Sequence, residues 1–193
     1  MPKGQYHHGD LRRQLIEQGI LMLNTHQVDQ LSLRKVAANC NVSNAAPYAH
    51  FKNKEEFILA MQHHVLAKLT ERFLRILDEN GKVPEVLPML GEEYVLFFIE
   101  NPLFYKLLFS KGEAEIHFSL SLDVETTIKP FEILKEVSLT VLSDKYSNEV
   151  VQDKILTMWA TVHGLAGIMS MTDDINQVDA TQRIRACLSY LCI

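Results

Sequence analysis

The chain has 193 residues, of which 47% are hydrophobic, a composition too apolar for an intrinsically disordered protein. No apolar run reaches the ~18 residues of a membrane-spanning helix, and the residues after Met1 lack the apolar core of a secretory signal, so we expect a cytoplasmic protein without membrane contact. The formal net charge of -5 argues against nucleic-acid binding by the chain as a whole.

That charge is unevenly distributed along the chain. Residues 1–75 contain 10 Lys and Arg against 6 Asp and Glu, a net of +4, which leaves 9 basic residues against 18 acidic ones for residues 76–193. A polyanion would therefore bind the first third of the chain. The cysteines are odd in number and have neither CxxC nor zinc-finger spacing, which predicts free or buried thiols and no metal site.

The first third reads as short helices separated by turns. Asp10 can cap a first helix that runs to Leu23, and Ser32 can cap a short second helix. Asn41 tolerates the left-handed conformation that ends a helix and turns the chain. Ser43 then caps a third helix of about two turns, residues 44–50.

A fourth, longer helix follows the third, and the apolar pattern after it stays helical. This fourth helix begins at Asn53, has Glu56 at the capping-box position and runs to about Leu77. Residues 80–84 contain Gly and Pro and predict a break. Further helices are predicted before Pro102, around residues 104–109, and over residues 121–142, 147–171 and 180–191, with a loop at 110–117. Since no strand-like alternation occurs, the sequence predicts an all-α fold.

Residues 31–57, LSLRKVAANCNVSNAAPYAHFKNKEEF, have the pattern of a helix-turn-helix. The second helix of such a motif enters a major groove about 12 Å wide and needs small or hydrogen-bonding residues on its exposed face. Asn44 could bond a base edge or a phosphate, and Ala45 and Ala46 could contact a thymine methyl group. Tyr48, His50 and Lys54 would bind phosphate oxygens. On physical grounds alone, a plain helical bundle remains an equal alternative.

Residues 6–61 resemble the N-terminal DNA-binding domain of the TetR family of bacterial transcriptional regulators. The similarity lies in the basic arm before the first helix, in LSLRKVA and in VSNAAPYAHFKNKEEF, although Asn41 replaces the usual Gly and Lys35 a more common acid. The resemblance implies a three-helix DNA-binding domain with its arm at residues 1–55 and a larger helical ligand-binding and dimerisation domain at 56–193. The implied DNA-contacting residues are Lys3, Tyr6, Ser32, Leu33, Arg34, Ser43, Asn44, Ala45, Ala46, Tyr48, His50 and Lys54.

The segment WATVHGLAGI resembles the Trp-x3-His-Gly motif of one C-terminal subgroup of that family. Trp159 and His163 lie four residues apart on one helix face, and Gly164 and Gly167 would allow another backbone to approach closely. A core histidine beside a tight helix contact is the alternative to a ligand contact. The candidate pocket residues are Phe97, Phe98, Phe104, Tyr105, Phe109, Met158, Trp159 and His163.

The resemblance further implies a homodimeric repressor that binds palindromic double-stranded operator DNA and is released by an apolar or aromatic small molecule. A protein of the same fold that is controlled by a protein partner, or by no effector, is the alternative. The last two helices would form the dimer interface, and Ile155, Leu156, Val162, Leu165, Leu188 and Leu191 are candidates for the interface or for the core. No catalytic, phosphate-binding or dinucleotide motif occurs in the sequence, so we expect neither an enzyme nor a cofactor.

Overall fold

A computed structural model describes residues 8–109, 119, 121–171 and 177–191, and every regular element among them is helical. The eight α-helices are α1 (His8–Met22), α2 (Leu33–Asn39), α3 (Lys54–Asn80), α4 (Val86–Glu100), α5 (Pro102–Phe109), α6 (Lys129–Leu142), α7 (Asn148–Met169) and α8 (Gln177–Ser189). Two short 3₁₀ helices, Val28–Gln30 and Ala46–Ala49, complete the described elements. Over these residues, no helix has the length and hydropathy to cross a membrane.

The described residues form two compact units. The first comprises residues 8–65 and 106–109, and the second comprises the remaining described residues from 66 onward. The division falls within α3, later than the predicted boundary at residue 55, because the first turns of α3 supply part of the core of the first unit. Lys106 also belongs there, since its ammonium group donates to the carbonyl of Leu23 at 2.6 Å and to that of His26 at 3.0 Å.

The core of the first unit is centred on Phe51 and Phe57, whose rings meet edge to face with centroids 5.0 Å apart. Both side chains are buried. Gly19 of α1 permits the close approach of α3, because a Cβ at that position would lie 2.5 Å from Cζ of Phe57. The apolar stripe of α1 is therefore interrupted by a glycine where an aromatic ring packs against the helix.

The predicted N-terminal caps of the helices in this unit are confirmed in part. Asn53 Oδ1 accepts a hydrogen bond from the Glu56 N–H at 2.8 Å, as a capping residue should, while Glu56 accepts from the Lys52 N–H at 2.7 Å. Ser32 occupies the predicted N-cap position of α2, but its side chain makes no capping hydrogen bond. The first helix begins at His8, so the predicted cap at Asp10 lies inside it.

In the second unit, α4 packs against α6, α7 and α8. Arg72 of α3 joins α4 through hydrogen bonds to Glu93 at 2.9 Å and to Glu100 at 3.0 Å, and its guanidinium lies over the ring of Phe97. Burial alone would lower the pKa of Arg72, but its bonds to these carboxylates raise it. This network connects the second half of α3 to α4, which carries the buried rings of Tyr94, Phe97 and Phe98.

The structure corrects the start of the sixth helix. The sequence predicted a helix from Ser121, whereas α6 begins at Lys129 and residues 121–128 form turns. Pro130 lies in the first turn of α6, where a missing N–H costs least. The buried ammonium group of Lys135 donates to the carbonyls of Ser121 and Val124, so these carbonyls are satisfied without a helix. The predicted loop at 110–117 lies outside the described residues.

Candidate nucleic-acid interface and C-terminal cavity

The recognition segment, residues 43–50, follows a turn whose geometry depends on Asn41. Asn41 has φ 56°, the left-handed conformation that asparagine tolerates better than most other side chains. The Val42 N–H then donates to the Ala37 carbonyl at 3.0 Å, which closes the end of α2. The predicted left-handed turn at Asn41 is therefore present.

The recognition segment is shorter and tighter than the predicted two-turn helix. Its helical part is the single 3₁₀ turn Ala46–Ala49, in which the Tyr48 N–H donates to the Ala45 carbonyl three residues back. Pro47 is buried and has no N–H to donate, which favours this short turn. Arg12 of α1 lies over the buried ring of Phe51, 5.2 Å from its centroid, and supports the segment from below.

Most of the predicted DNA-contacting side chains in the described residues reach the surface. Those exposed are Arg34, Ser43, Asn44, Ala45 and Tyr48, and those partly exposed are Ser32, Ala46, His50 and Lys54. Lys3 and Tyr6 lie outside the described residues. Leu33 is 5% exposed and belongs to the core of the first unit, so it is withdrawn as a DNA contact. The resemblance alone had implied this contact, and Leu33 instead lies in the buried face of α2 with Val36 and Ala37.

The lysines near the start of α3 differ in how they are held. The Lys54 ammonium donates to the carbonyl of Asp29 and so ties α3 to the 3₁₀ helix Val28–Gln30. Lys52, which the sequence reasoning overlooked, has an exposed side chain one residue before the capping Asn53. Free N–H groups at a helix N-terminus and a neighbouring ammonium together favour a phosphate oxygen. Lys52 is therefore the stronger candidate for a phosphate contact.

In the second unit, the predicted pair of Trp159 and His163 is part of an aromatic–histidine cluster with Tyr94 and Tyr105. The rings of Trp159 and His163 are nearly parallel, at 7°, with centroids 6.3 Å apart. The Tyr94 hydroxyl lies 3.1 Å from His163 Nδ1, and the Tyr105 hydroxyl lies 3.5 Å from Nε2. A neutral imidazole has one donor and one acceptor nitrogen, so it can satisfy both tyrosines at once.

Burial lowers the pKa of His163 and raises the pKa of Tyr94 and of Tyr105. All three groups are therefore uncharged at neutral pH. Gly167 lies directly beneath the cluster, because a Cβ there would meet the Tyr105 hydroxyl at 2.5 Å. The predicted close approach at Gly167 is thus an approach of Tyr105 within the same chain.

The lowered pKa of His163 predicts an acid-sensitive contribution to stability. The unfolded chain binds a proton near pH 6.5 while the folded chain resists it, so this contribution is complete above that pH and decreases as the pH falls toward the folded-state value. We expect the unfolding free energy of the wild type to fall more between pH 7.5 and 5.5 than that of His163→Gln. Urea denaturation at both pH values measures the difference, and equal pH slopes for the two proteins would contradict it.

A narrow cavity of about 20 Å³ lies beside the cluster, enough for about one water molecule. Its lining is almost entirely apolar: Phe73, Leu87, Pro88, Leu90, Gly91, Tyr94, Leu134, Met158, Trp159, Val162, Leu188 and Leu191. Only Met158 and Trp159 come from the eight predicted pocket residues. Tyr94 was missed, since nothing in the sequence distinguishes it from the other buried aromatic side chains of α4.

The remaining predicted pocket residues are placed elsewhere. Phe97 and Phe98 are fully buried and pack on each other with ring centroids 5.2 Å apart. Phe104 packs on Phe97, and Phe109 is partly exposed at the end of α5. Together with Tyr105 and His163, which belong to the cluster, these aromatic residues are core or cluster contacts and do not line the cavity.

Residues 14–61 match the family model described as bacterial regulatory proteins of the tetR family. The chain is 33% identical over 74 residues to the nicotine-responsive transcriptional repressor HdnoR of Paenarthrobacter nicotinovorans, covering 38% of each chain. It is 32% identical over 105 residues to the class G tetracycline repressor protein of Vibrio anguillarum, covering 53% of this chain and 44% of that protein. The chain spans half or less of the length of the curated relatives it matches.

The fold is also found in solved structures. A protein of unknown function from Rhodococcus sp. RHA1 superposes with a TM-score of 0.73, covering 98% of this chain and 97% of that one at 22% identity. At this identity, the likeness concerns the fold alone. The family model matches residues of the first unit, and the structural match covers 98% of the chain.

Proposed function

We propose that this chain is a homodimeric transcriptional repressor. It would release its operator DNA when a small apolar molecule binds the second unit. The proposal starts from the match of residues 14–61 to the tetR family model. The observation that carries the proposal is the recognition segment. Its small and polar side chains are exposed, whereas Pro47 and Phe51 are buried and anchor the segment to the core. Such a surface can enter a major groove without steric obstruction.

The homodimer is supported by the outward face of α7. Residues 156–171 contain no Asp, Glu, Lys or Arg, although one side of this segment is exposed among the described residues. Leu156, Ala160, Ile168 and Met171 are exposed there at helical spacing, and nothing lies within 4 Å of the Cβ position of Gly164. An uncharged stripe with a glycine at its centre suits close packing against a second helix of the same kind.

This face revises the predicted interface residues. Ile155, Val162 and Leu188 are buried within their own chain, so they are core residues in the single chain. Leu165 and Leu191 are half-buried, and Leu156 is exposed. Within α7, the proposed interface therefore consists of Leu156 and of the residues that follow it on the same face. Ala186 of α8 and Tyr190, just after this helix, are also exposed and uncharged.

The effector part of the proposal rests on the cavity. Its apolar wall and the absence of a charged side chain in that wall favour an uncharged apolar molecule, because an ion would be desolvated without a partner. The cavity is too small for such a molecule in the described form, so binding would require side chains of its wall to move. The same small volume also fits the alternative, a regulator of this fold that has no small-molecule effector.

The DNA-binding proposal predicts different behaviour for two exposed side chains of the first unit. Asn44→Ala should change the preferred bases at one position of each half-site, at a cost of about 1–3 kcal/mol if Asn44 bonds a base edge. Lys52→Ala should weaken binding to all sequences alike and reduce the salt slope by about one unit, since one phosphate contact is lost. In-vitro selection of bound DNA, followed by salt titrations on the selected site, measures both effects.

Glu55→Ala is a suitable control, because this exposed side chain lies near Lys52 and has the opposite charge. It should leave base preference unchanged. Selection that enriches no sequence would contradict the proposed operator binding. Identical behaviour of the Asn44 and Lys52 variants would contradict the assignment of one residue to bases and the other to phosphates.

A further inference from the structure

The cavity beside Trp159 adjoins a groove on the surface of the second unit. Pro88, Leu188 and Leu191 line both spaces, so their side chains form the wall between them. The groove is far larger, about 610 Å³, and its other lining residues are Pro84, Glu85, Met89, Glu92, Arg185 and Ser189. A molecule that moved this wall would have its inner end in an apolar cavity and its outer end among polar groups.

The polar part of the groove is organised by one ion pair. The Arg185 Nε–H donates to both carboxylate oxygens of Glu92, at 3.0 and 2.9 Å. The side chain of Arg185 is 69% exposed, and among the described residues its two terminal amino groups have no hydrogen-bond partner. Because Glu92 holds only the Nε, the remaining N–H groups of the guanidinium are available to an acceptor on a bound molecule.

The charges of the groove determine which kind of polar group on a bound molecule is favoured there. Glu85 and Glu92 contribute two negative charges against the single positive charge of Arg185, which disfavours an anionic group. A cationic group would have to compete with Arg185 for Glu92. An uncharged acceptor, such as a hydroxyl or carbonyl oxygen, accepts from the free N–H groups of Arg185 and meets neither difficulty.

We propose that the cavity and the groove are one binding site for an uncharged amphipathic molecule. Its alkyl end displaces Leu188 and enters the cavity beside Trp159, and its hydroxyl or carbonyl oxygen stays in the groove and accepts from Arg185. This inference rests on the proposed function, because it specifies the effector class and the direction from which the effector enters.

Gly91 of α4 is a suitable position for a substitution that tests the site. A Cβ on Gly91 would lie 3.2 Å from Val162 Cγ1 and 3.3 Å from both methyl carbons of Leu188, so a methyl group there would press on the wall that has to move. Alanine is also favoured over glycine inside a helix, by about 1 kcal/mol, which offsets this crowding in the folded protein. Gly91→Ala should therefore remain folded while restricting Leu188 and filling the entrance.

The experiment titrates the full chain with octan-1-ol, octanoate and octylammonium and follows the emission of Trp159, the single tryptophan of the sequence. We expect octan-1-ol to bind most tightly of the three. Gly91→Ala should weaken its binding about tenfold or more, and Leu188→Ala, which shortens a wall residue, should strengthen it. Arg185→Ala should weaken octan-1-ol binding, because the hydroxyl loses its donor, and should not improve octanoate binding, because only the two carboxylates then remain in the groove.

Leu74→Ala is the control for Leu188→Ala, because it shortens the same type of side chain at an exposed position that lines neither the cavity nor the groove. It should bind octan-1-ol as the wild type does. Equal affinity for octanoate or octylammonium would overturn the assignment of an uncharged group. Unchanged octan-1-ol binding by both the Gly91 and Leu188 variants, or no binding of any probe by the wild type, would overturn the site.

Operator release is measured separately on the selected DNA. Binding of octan-1-ol without DNA release would leave the site intact and contradict the effector part of the proposed function. DNA binding without any response of Trp159 to the probes would contradict the site while the DNA-binding function stands.

Discussion

If the proposed dimer forms through α7, Ile168→Glu should convert it to monomers and weaken operator binding by about a hundredfold or more, because the two half-sites would no longer be bound together. Ile168 is 61% exposed on the uncharged face of α7, so the substitution removes little packing among the described residues. In the dimer, it would bury a carboxylate against an apolar surface without a partner. The fold of the monomer should be retained.

Sedimentation velocity at several protein concentrations measures the dimer, and titration of labelled operator DNA measures the affinity. Leu74→Glu is the matched control, since Leu74 is a similarly exposed apolar residue on α3, at 51%. It should remain dimeric and bind the operator as the wild type does. A dimeric Ile168→Glu protein with normal affinity would exclude this face of α7 from the interface.

The sequence alone suggests a different substitution to test the interface, a charged residue at Leu188. Leu188 has helical spacing and apolar character that suit an interface, but its side chain contacts the cavity and lies next to Gly91. A charge at Leu188 would unfold the core of the second unit instead of separating two intact chains. Periodicity identifies apolar positions, whereas the side of the helix left uncovered depends on how α4, α6 and α8 pack on α7.

Local chemistry was predictable where a few neighbouring residues determine the backbone. Asn41 adopts the left-handed turn, and Asn53 caps α3, because both effects involve groups within three residues of one another. The recognition segment departs from its prediction for an equally local reason, the missing N–H of Pro47. The composition of the candidate DNA surface could thus be predicted, apart from Leu33 and Lys52, whose exposure depends on packing.

The C-terminal site was less predictable because its parts are far apart in the sequence. The spacing of Trp159 and His163 correctly placed them on one helix face, but the tyrosines that bond His163 come from α4 and α5. The start of α6 was also missed, because Lys135 satisfies carbonyls eleven and fourteen residues before it. Tertiary hydrogen bonds of this kind leave no periodic signal.

The contact made by Lys135 leads to a second large expected effect, on stability. Its side chain is 3% exposed, and its ammonium donates to the Ser121 carbonyl at 3.0 Å, to the Val124 carbonyl at 2.7 Å and to Glu132 Oε1 at 3.0 Å. Lys135→Met retains most of the apolar stem and removes the charge. Two carbonyls then lose a charged donor and Glu132 loses its ion-pair partner, which should cost about 3 kcal/mol.

Thermal and urea unfolding measure this loss, which corresponds to a fall in Tm of roughly 6–12 °C for a chain of this size. Lys145→Ala is the control, since Lys145 is exposed just beyond the end of α6. It should change stability by less than about 0.5 kcal/mol. The double variant Lys135→Met with Glu132→Gln should be more stable than the sum of the single effects predicts, because no carboxylate remains without its ion-pair partner. Strict additivity would show that the pair is not coupled.

The pH dependence of the Lys135→Met effect separates the ion pair from simple packing. Burial alone would raise the pKa of Glu132, but hydrogen bonds from Lys135 and Thr126 outweigh it and lower the pKa. The stability contributed by this carboxylate is therefore present above its unfolded pKa of about 4.3 and is lost as the pH falls through the lower folded value. The wild type should lose this contribution to its unfolding free energy in acid, whereas Lys135→Met lacks most of it at any pH. The difference in unfolding free energy between the two proteins should therefore shrink below about pH 4. A difference that stays constant with pH would assign the effect of Lys135 to its carbonyl bonds and packing alone.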